Sequence, residues 1–351
     1  MHPYRLIVPP RDVTADPRRP APRPAGADPA GPDAPVAGGQ IPTDAAPAPD
    51  AHGPGGLPVR RTLPERRLAA IGAWCLLEHF GDPASRAAGW ETLAYPEAGL
   101  LSLTLPIDGL IRRRDGLGRD DLVRPGGVWL GSAGSGVAVC ENGVDDPRGG
   151  RHARRFLHGV RLAAALPAAH RAGAPTLQAV LDPPTVHTPT MRASVLVGAL
   201  AGPHAALASP ASTPTPLLAA DLTLTTTTER LALDPAYEHG VLLLDGELSV
   251  DGTPLRVGDL AYLPPGRDLV EFATLPGARV LLIGGEPFEE EFLLWWNIVV
   301  ASHEEVVAAR EAWELGRAPF ADLPEGATRA AAPPIPPVRL RPRRGSVRPR
   351  T

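Results

Sequence analysis

The chain has 351 residues, enough for two ordinary domains, and its 35 basic and 39 acidic residues leave a formal net charge of −4. Its 44 prolines and 37 glycines approach the level of low-complexity chains, yet 43% of its residues are hydrophobic. This mixture excludes a wholly disordered chain and predicts disordered segments beside well-packed ones.

Two further features narrow the class of protein. The two cysteines, Cys75 and Cys140, cannot form a disulfide framework, and neither belongs to a CxxC or Cys/His ligand cluster. The longest apolar stretch, 292–301, is too short to cross a bilayer, and no basic-then-apolar signal pattern opens the sequence. We therefore expect a cytoplasmic protein that makes no membrane contact.

The first 57 residues predict a short strand followed by a disordered linker. Residues 4–8, Tyr-Arg-Leu-Ile-Val, have strand character, and we expect them to dock on the folded body if the linker is an insertion. Residues 14–57 consist mostly of Pro, Ala and Gly, which cannot build a periodic apolar face.

Between residues 58 and 317, turn signals alternate with short apolar runs, which is typical of an all-β protein. The segment 240–263 shows this most clearly. There, Asp245-Gly246 and Asp251-Gly252 supply the positive-φ turn positions that tight hairpins require. We predict three short strands in this segment.

An internal repeat supports this interpretation. Residues 122–130 resemble residues 254–262 when Gly126 is aligned with Gly258, and each copy follows a strand that starts at a glycine. Two β-domains of similar construction are therefore expected in tandem. Many short strands in a domain of this size close best as a sandwich or jelly-roll barrel, which limits unprotected sheet edges.

These patterns divide the chain into two domains, 58–168 and 190–317, joined by a linker over 169–189. One helix is predicted, over 303–315, because apolar residues recur there at helical spacing, with acidic residues in the first turn and a glycine after the end. The Arg- and Pro-rich segment 318–351 is predicted to be a disordered tail. We expect at most a weak nucleic-acid contact from its arginines, because no aromatic residues interleave with them.

Several motifs resemble the pirin family in order and spacing. In the first half they are Arg61-Thr-Leu-Pro64, Ile71-Gly-Ala-Trp-Cys-Leu-Leu-Glu-His-Phe-Gly81, Arg114-Asp-Gly-Leu-Gly118, Val123-Arg-Pro-Gly126, Ser132-Ala-Gly-Ser-Gly136 and Leu157-His-Gly-Val160. In the second half they are Ser212-Thr-Pro-Thr-Pro-Leu217, Gly284-Gly-Glu-Pro-Phe288, Trp295-Trp-Asn297 and Ala309-Arg-Glu-Ala-Trp313. Pirins are bicupins, so the resemblance implies an all-β protein of two tandem cupin jelly-roll barrels with one C-terminal helix.

The resemblance also implies a metal position in the first barrel. Pirins normally bind one transition metal, usually iron, through a His-x-His pair and a later His-x-Glu pair. An ungapped alignment places these pairs on Tyr95-Pro96-Glu97 and Val139-Cys140-Glu141, so all three imidazoles are replaced and only the carboxylate is kept. Another typical histidine of the family is here Arg113.

Residues at i and i+2 on a strand point to the same side, so Tyr95, Glu97, Val139 and Glu141 are expected inside the first barrel. Three accounts of that interior are open. Glu97 and Glu141 could hold a hard divalent cation with Tyr95 and water, as a weak site. They could share a proton and act as general acid and base. We favour the third account, a remnant site whose polar groups are hydrogen-bonded to one another or to water and whose metal and chemistry are lost.

Other conspicuous side chains receive structural interpretations. His79 and His158 are expected to be hydrogen-bonded structural residues, His239 is not expected to be a metal ligand, and Trp295-Trp296 is expected to pack in the core or between the barrels. Cys140 should face away from the barrel interior as a packing thiol with no basic neighbour.

The first functional hypothesis is thus a non-catalytic, binding or regulatory pirin-like protein. It is expected to be a monomer without a cofactor, whose partner is an unidentified protein or small molecule. The alternatives are a metal-dependent dioxygenase of the quercetinase type and a metal-independent acid/base enzyme using Glu97 and Glu141.

Overall fold

The computed structural model describes residues 6–12, 59–81, 93–144, 157–204 and 207–345, which form an almost entirely β structure. The first twelve strands are β1 (Leu6–Val8), β2 (Arg11–Asp12), β3 (Val59–Leu63), β4 (Trp74–Phe80), β5 (Tyr95–Glu97), β6 (Leu100–Asp108), β7 (Leu110–Asp115), β8 (Asp120–Val123), β9 (Val128–Ser132), β10 (Val137–Val144), β11 (His158–Ala165) and β12 (Thr176–Val180). The others are β13 (Thr185–His187), β14 (Met191–Val197), β15 (Leu217–Leu224), β16 (Thr228–Ala232), β17 (Glu238–Asp245), β18 (Leu248–Val250), β19 (Thr253–Leu255), β20 (Leu260–Leu263), β21 (Leu269–Thr274), β22 (Arg279–Gly285), β23 (Leu293–Trp295) and β24 (Ile298–Val300). Two helices are present in the described residues, α1 (Ala168–Arg171) and α2 (His303–Glu314).

The strands form two barrels of the same design. In barrel one, a seven-stranded sheet (β12-β9-β6-β11-β4-β3-β2) faces a four-stranded sheet (β5-β10-β7-β8). In barrel two, a seven-stranded sheet (β1-β20-β17-β22-β15-β14-β13) is matched with a four-stranded sheet (β16-β21-β18-β19). The predicted fold of two tandem jelly-roll barrels with a C-terminal helix is confirmed.

Side-chain alternation along β6 determines how the barrels are filled. Leu101, Leu103 and Leu105 belong to the largest apolar cluster, which also contains Leu242 and Ile283 of barrel two. Between these leucines, Ser102 and Thr104 carry polar side chains that are nevertheless buried. The two seven-stranded sheets therefore share an apolar core between them, while the interior of barrel one is partly polar.

The contact between the barrels is close and specific. The indole Nε1 of Trp74 donates to the carbonyl oxygens of Leu218 and Gly284, each at 3.1 Å. Gly72 has φ +53, and a Cβ on it would lie 2.8 Å from the Cα of Gly285. Glycine is therefore required at position 72, both for its backbone conformation and for the approach of the second barrel.

The N-terminal strand predicted within residues 4–8 is confirmed as β1. It pairs with β20 of barrel two, and β2 pairs with β3 of barrel one. This short segment therefore adds an edge strand to each barrel. The predicted linker over 14–57 lies outside the described residues.

The predicted linker over 169–189 is wrong as a boundary. Within it, β12 pairs with β9 of barrel one and β13 pairs with β14 of barrel two. Both segments are edge strands that satisfy their backbone hydrogen bonds on only one side, so they bury few apolar side chains and resemble a linker in composition.

The turn and repeat predictions are largely confirmed. Gly126 and Gly258 have φ +89 and +91 at equivalent places in the two barrels. Asp251-Gly252 turns the β18–β19 hairpin, as predicted. Gly246, with φ +85, instead forms a corner, because β17 and β18 belong to different sheets and the segment 240–263 carries four strands rather than three.

Helix α2 begins and ends within one residue of its predicted limits. The Ser302 hydroxyl accepts from the backbone N–H of Glu305, and the Glu305 carboxylate accepts from the Ser302 hydroxyl and the backbone N–H of Ala301. This reciprocal cap stabilises the first turn, and Val306 and Trp313 bury the apolar face. No helix among the described ranges has the length and apolar character needed to span a membrane.

The predicted disordered tail over 318–351 is wrong for the part that the structure describes, 318–345. The indole of Trp313 donates to the carbonyl of Ala330 at 2.8 Å, and Ala330 N donates to the carbonyl of Ala94 at 2.8 Å. Ala94 N in turn donates to Thr328. The segment is therefore a strap whose main chain binds along barrel one at the start of β5, so hydrogen bonding rather than an apolar periodicity orders it.

The arginines of this strap bind the protein itself. Arg343 donates to the carbonyl of Arg66 at 2.6 Å, Arg339 pairs with Glu304 at 2.5 Å, and Arg344 lies 3.6 Å from Glu291. These three cations are thus engaged within the chain.

The strap is expected to contribute to global stability through Phe320, which is 1% exposed and packs edge-to-face on Trp313. Phe320→Ala should lower the free energy of unfolding by about 3–5 kcal/mol, because it leaves a cavity in a closed apolar cluster. The measurement is urea unfolding followed by tryptophan fluorescence. Val338→Ala, at an exposed position of the same strap, is the matched control, and equal stability of the two variants would contradict the ordered strap.

Candidate functional site

A chain of alternating charges runs through the interior of barrel one. It contains three carboxylates and three guanidinium groups, in the order Arg61, Glu78, Arg161, Glu141, Arg113 and Glu97. The side chains of all members except Arg61 are at most 8% exposed. The strands β3, β4, β11, β10, β7 and β5 each contribute one of these side chains.

Arg113 connects Glu97 and Glu141, the two carboxylates that the resemblance places at metal positions. Its Nη2 lies 2.8 Å from Oε2 of Glu97, and its Nη1 lies 3.1 Å from Oε1 of Glu141. Gly131 makes room for this guanidinium, because a Cβ there would lie 3.3 Å from Arg113 Nη2 and from Ser102 Oγ. The Ser102 hydroxyl also donates to Glu97, at 2.9 Å.

Arg161 continues the network on the opposite sheet. Its Nη2 lies 3.0 Å from Oε2 of Glu141, and its Nη1 lies 3.4 Å from Oε2 of Glu78. Glu78 in turn pairs with Arg61 at 2.5 Å, and the Thr104 hydroxyl donates to Glu141 at 2.8 Å. Glu141 therefore accepts from two guanidinium groups and one hydroxyl while fully buried.

The four positions predicted to face the interior are all buried there. In the β5–β10 ladder, Tyr95 lies opposite Val139 and Glu97 lies opposite Val137. The segments 95–97 and 139–141 are therefore close together in one sheet. The ring of Tyr95 stacks on Arg161, whose Cζ lies 5.2 Å from the ring centroid. Glu97 and Glu141 are brought together through Arg113, whereas Val139 offers only a hydrocarbon surface.

The pKa shifts follow the pairing of charges. Burial alone raises the pKa of Glu141, but the guanidinium groups of Arg161 and Arg113 outweigh burial and hold that pKa below its usual value. Burial alone likewise lowers the pKa of Arg113 and of Arg161, and the surrounding carboxylates outweigh it, so both pKa values are raised. Burial raises the pKa of Tyr95 well above its usual value. The interior is therefore a set of ionised pairs beside a neutral phenol.

These residues do not fit an iron centre of the family's type. The positions at which the resemblance implies three imidazoles carry a phenol, a carboxylate and a hydrocarbon, and Arg113 engages both carboxylates. A dication placed between Glu97 and Glu141 would lie beside the guanidinium charge that already binds them. In the described parts of the chain, no group of three or more His, Cys, Asp or Glu side chains is arranged to hold a metal ion.

Cys140 faces away from the interior, as predicted, but its expected lack of a basic neighbour is wrong. Its Sγ lies 3.8 Å from Nη2 of Arg114 and 3.3 Å from Oδ1 of Asn142. Arg114 also donates to the carbonyl of Glu325 in the strap. The thiol thus lies in a polar contact between sheet and strap, which arises because Arg114 is directly opposite Cys140 in the β7–β10 ladder.

The remaining histidines and tryptophans mostly take the structural places expected of them. His79 and His158 are buried and hydrogen-bonded to each other, with 2.6 Å between their Nε2 atoms. His239 is buried in barrel two, where burial lowers its pKa to about 4. Trp295 and Trp296 are buried in the largest apolar cluster and pack edge-to-face, which confirms their packing role.

The chain is similar to known proteins over most of its length. The family described as the Pirin C-terminal cupin domain matches residues 219–319. A Pseudomonas aeruginosa protein named "Putative quercetin 2,3-dioxygenase PA1205" is 41% identical over 286 residues, covering 80% of this chain and 87% of that protein. This chain belongs to the pirin family. A pirin-like protein of Caulobacter vibrioides is 28% identical over 282 residues, covering 78% of this chain and 93% of its own.

Solved structures have the same fold as this chain. The crystal structure of a quercetin 2,3-dioxygenase from Acinetobacter baumannii has a TM-score of 0.75 and 33% identity, covering 83% of this chain and 95% of that one. The Escherichia coli pirin YhhW, solved in complex with nickel(II), has a TM-score of 0.51 at 13% identity, covers 67% of this chain and 95% of its own, and supports the fold alone.

The charge network predicts that Arg113 is essential for stability. Arg113→Met keeps the bulk but leaves Glu97 and Glu141 with fewer compensating charges, so we expect a loss of about 3–5 kcal/mol in the free energy of unfolding. Arg112→Met, at the neighbouring residue, is the matched control. Arg112 forms an exposed ion pair with Asp120, so its replacement should change the free energy of unfolding very little. Urea denaturation of the two variants checks this, and equal midpoints would contradict it.

The lowered pKa of Glu141 predicts an acid-sensitive contribution to stability. Because the folded state favours the ionised carboxylate, this contribution is complete above the ordinary pKa of 4.5 and is lost as the pH falls through the lower folded pKa. The stability difference between wild type and Glu141→Gln should therefore shrink on acidification from about pH 6 to about pH 3. Urea unfolding across this range measures it. A difference for Glu141→Gln that stays constant across this range would refute the assignment.

Proposed function

We propose that this chain is a pirin-family bicupin that acts as a binding or regulatory protein, with no metal-dependent oxygenase centre in its first barrel. The observation that carries the proposal is the bridge formed by Arg113 between Glu97 and Glu141. The guanidinium occupies the space between the carboxylates that a metal would need, and it supplies the positive charge that a metal would bring.

Charge balance supports this proposal. Within the network, three carboxylates and three guanidinium groups cancel without a bound cation. A divalent cation at Glu97 and Glu141 would leave two excess positive charges in a buried region, unless Arg113 moved away. The pairing therefore disfavours the weak magnesium-, manganese- or calcium-type site as well as iron.

The acid/base alternative receives little support from the same contacts. A carboxyl group that works as a general acid must hold a proton near neutral pH, which requires a raised pKa. The pKa of Glu141 is lowered, and its two oxygens accept from Arg113, Arg161 and Thr104. Glu141 is thus held as an ion with its acceptor positions filled.

A dioxygenase is the second candidate, because two relatives above 30% identity carry quercetin 2,3-dioxygenase in their names. Within this chain, that activity would need donors other than the Tyr95, Glu97, Val139 and Glu141 set. The names of these relatives favour the activity, whereas the side chains of this barrel favour its loss.

Metal content and oxygen uptake separate the two candidates. Elemental analysis of the purified full chain should give well under one equivalent of iron, nickel, copper, zinc, manganese or cobalt. Quercetin should cause no oxygen uptake after incubation with iron(II), nickel(II) or manganese(II). The Acinetobacter baumannii quercetin 2,3-dioxygenase, assayed in parallel, checks the assay. Stoichiometric metal that is lost in the double variant Glu97→Gln, Glu141→Gln would overturn the proposal.

A further inference from the structure

Glu238 connects the two barrels through a single buried carboxyl group. It is the first residue of β17 in barrel two and is 1% exposed. Its Oε2 accepts from the backbone N–H of Gly72 in barrel one at 2.8 Å, and its Oε1 accepts from the Tyr262 hydroxyl of barrel two at 2.9 Å. Because Gly72 also lies against Gly285, the carboxyl group is placed where the two barrels approach each other closely.

No opposite charge accompanies Glu238 in the described part of the chain. No arginine or histidine side chain there forms an ion pair with it. The charge that acts on it comes from Glu289, in the loop after β22, and is negative. Glu238 therefore differs from Glu141, whose charge is compensated by two guanidinium groups.

Among the described residues, the strands that flank Glu238 bring no charge to it. Tyr262 projects from β20, and burial raises the pKa of this phenol, which stays protonated. On β22, Gly285 lies opposite Glu238 in the ladder. His239 follows Glu238 on β17, but strand alternation directs its ring to the other face of the sheet, and burial lowers its pKa to about 4.

The described residues of barrel one and of the strap also leave this carboxyl group without a cation. The strap approaches Gly72 through Gly345, which has no side chain. The arginines next to Gly345 are engaged elsewhere, Arg343 by the carbonyl of Arg66 and Arg344 by Glu291. The contact between the barrels at Gly72 therefore contains a carboxyl group and hydrogen-bond donors but no compensating charge.

Protonation and ionisation of Glu238 have different consequences for this contact. As a neutral acid, the group keeps both partners, because its carbonyl oxygen accepts from Gly72 and its hydroxyl donates to the Tyr262 oxygen, which can accept as well as donate. As an anion, it is a buried charge without a compensating cation, which water would stabilise better. Burial accordingly raises the pKa of Glu238, although the hydrogen bonds from Gly72 and Tyr262 oppose burial.

We propose that Glu238 is a pH-sensitive latch between the barrels, which is closed when its carboxyl group is protonated and loosens at Gly72 when that group ionises. Loosening admits water to the anion, so opening of the contact is linked to the release of a proton. The stabilising effect of the latch is complete below the ordinary pKa of 4.5 and is lost as the pH rises through the higher folded pKa. The latch does not depend on the binding function proposed above or on the metal content of barrel one.

Amide hydrogen exchange of the full chain, followed by NMR, tests the latch at Gly72. The protection factor, which corrects for the intrinsic pH dependence of exchange, should fall about threefold or more between about pH 5 and about pH 8. Glu238→Gln is the matched control, because its side-chain amide is a neutral mimic of the protonated acid that can accept from Gly72 and donate to Tyr262. In this variant the protection of Gly72 should stay nearly constant.

The carboxyl carbon of Glu238 gives an independent readout. Its ¹³C resonance, assigned by its absence from the spectrum of Glu238→Gln, should titrate above pH 4.5. Titration at or below pH 4.5, equal protection of Gly72 in wild type at both pH values, or an equal fall in Glu238→Gln would each overturn the latch. The exchange measurement on wild type decides the question even if the variant does not fold.

Discussion

The interior of barrel one depends on one constraint, which is that buried charges must be compensated where they lie. Isolated charges removed from water cost several kcal/mol each, and good pairing with additional hydrogen bonds is what makes their burial tolerable. Arg113 meets this requirement for Glu97 and Glu141 together, and Arg161 meets it for Glu141 and Glu78. In the arrangement that the resemblance to pirins implies, a metal ion and imidazoles would fill the equivalent space. Here guanidinium groups do so, and the carboxylates are satisfied without a metal.

The two barrels illustrate two ways to fill the same architecture. The interior of barrel two is an apolar cluster in which Leu222, Leu243 and Phe272 are fully buried. The interior of barrel one divides into a smaller apolar cluster around Trp129 and the charge network. The apolar layer between the seven-stranded sheets, the N-terminal strands and the C-terminal strap hold the barrels together. Because barrel two can supply an ordinary apolar core, a polar barrel one is compatible with a stable molecule.

Local patterns predicted two similar β-domains, and the resemblance to pirins supplied the cupin barrels and the positions of the site residues. Strand alternation around Pro96 and Cys140 places Glu97 and Glu141 inside, and paired glycines mark the repeated turns. The partners of the carboxylates could not be obtained in the same way. Arg161 comes from the next strand of the chain, which lies in the opposite sheet, so only the closure of one sheet over the other brings it to Glu141. Its signal in the sequence is that it is the one Asp, Glu, Lys or Arg residue of strand His158–Ala165.

The strap shows that residue composition alone can fail to predict order. Its Pro- and Arg-rich sequence lacks a periodic apolar face, which is why it was predicted to be disordered, but its order comes from main-chain bonds to Ala94 and from a few anchors such as Phe320. Bonds between a strap and a sheet edge depend on backbone geometry and leave almost no trace in residue type. A few anchoring residues can therefore order a segment whose composition predicts disorder.

The resemblance to pirins places Glu141 at a metal-ligand position, which by itself would suggest a metal. Glu141 here has two guanidinium partners and a hydroxyl donor that require its charge. Removing either arginine would leave an uncompensated carboxylate, and restoring one imidazole beside Arg113 would place a metal ligand next to a fixed cation. The arginines and the altered ligand positions therefore form one coupled set, so the chemistry of this barrel must be judged from the whole network rather than from the one carboxylate that survives.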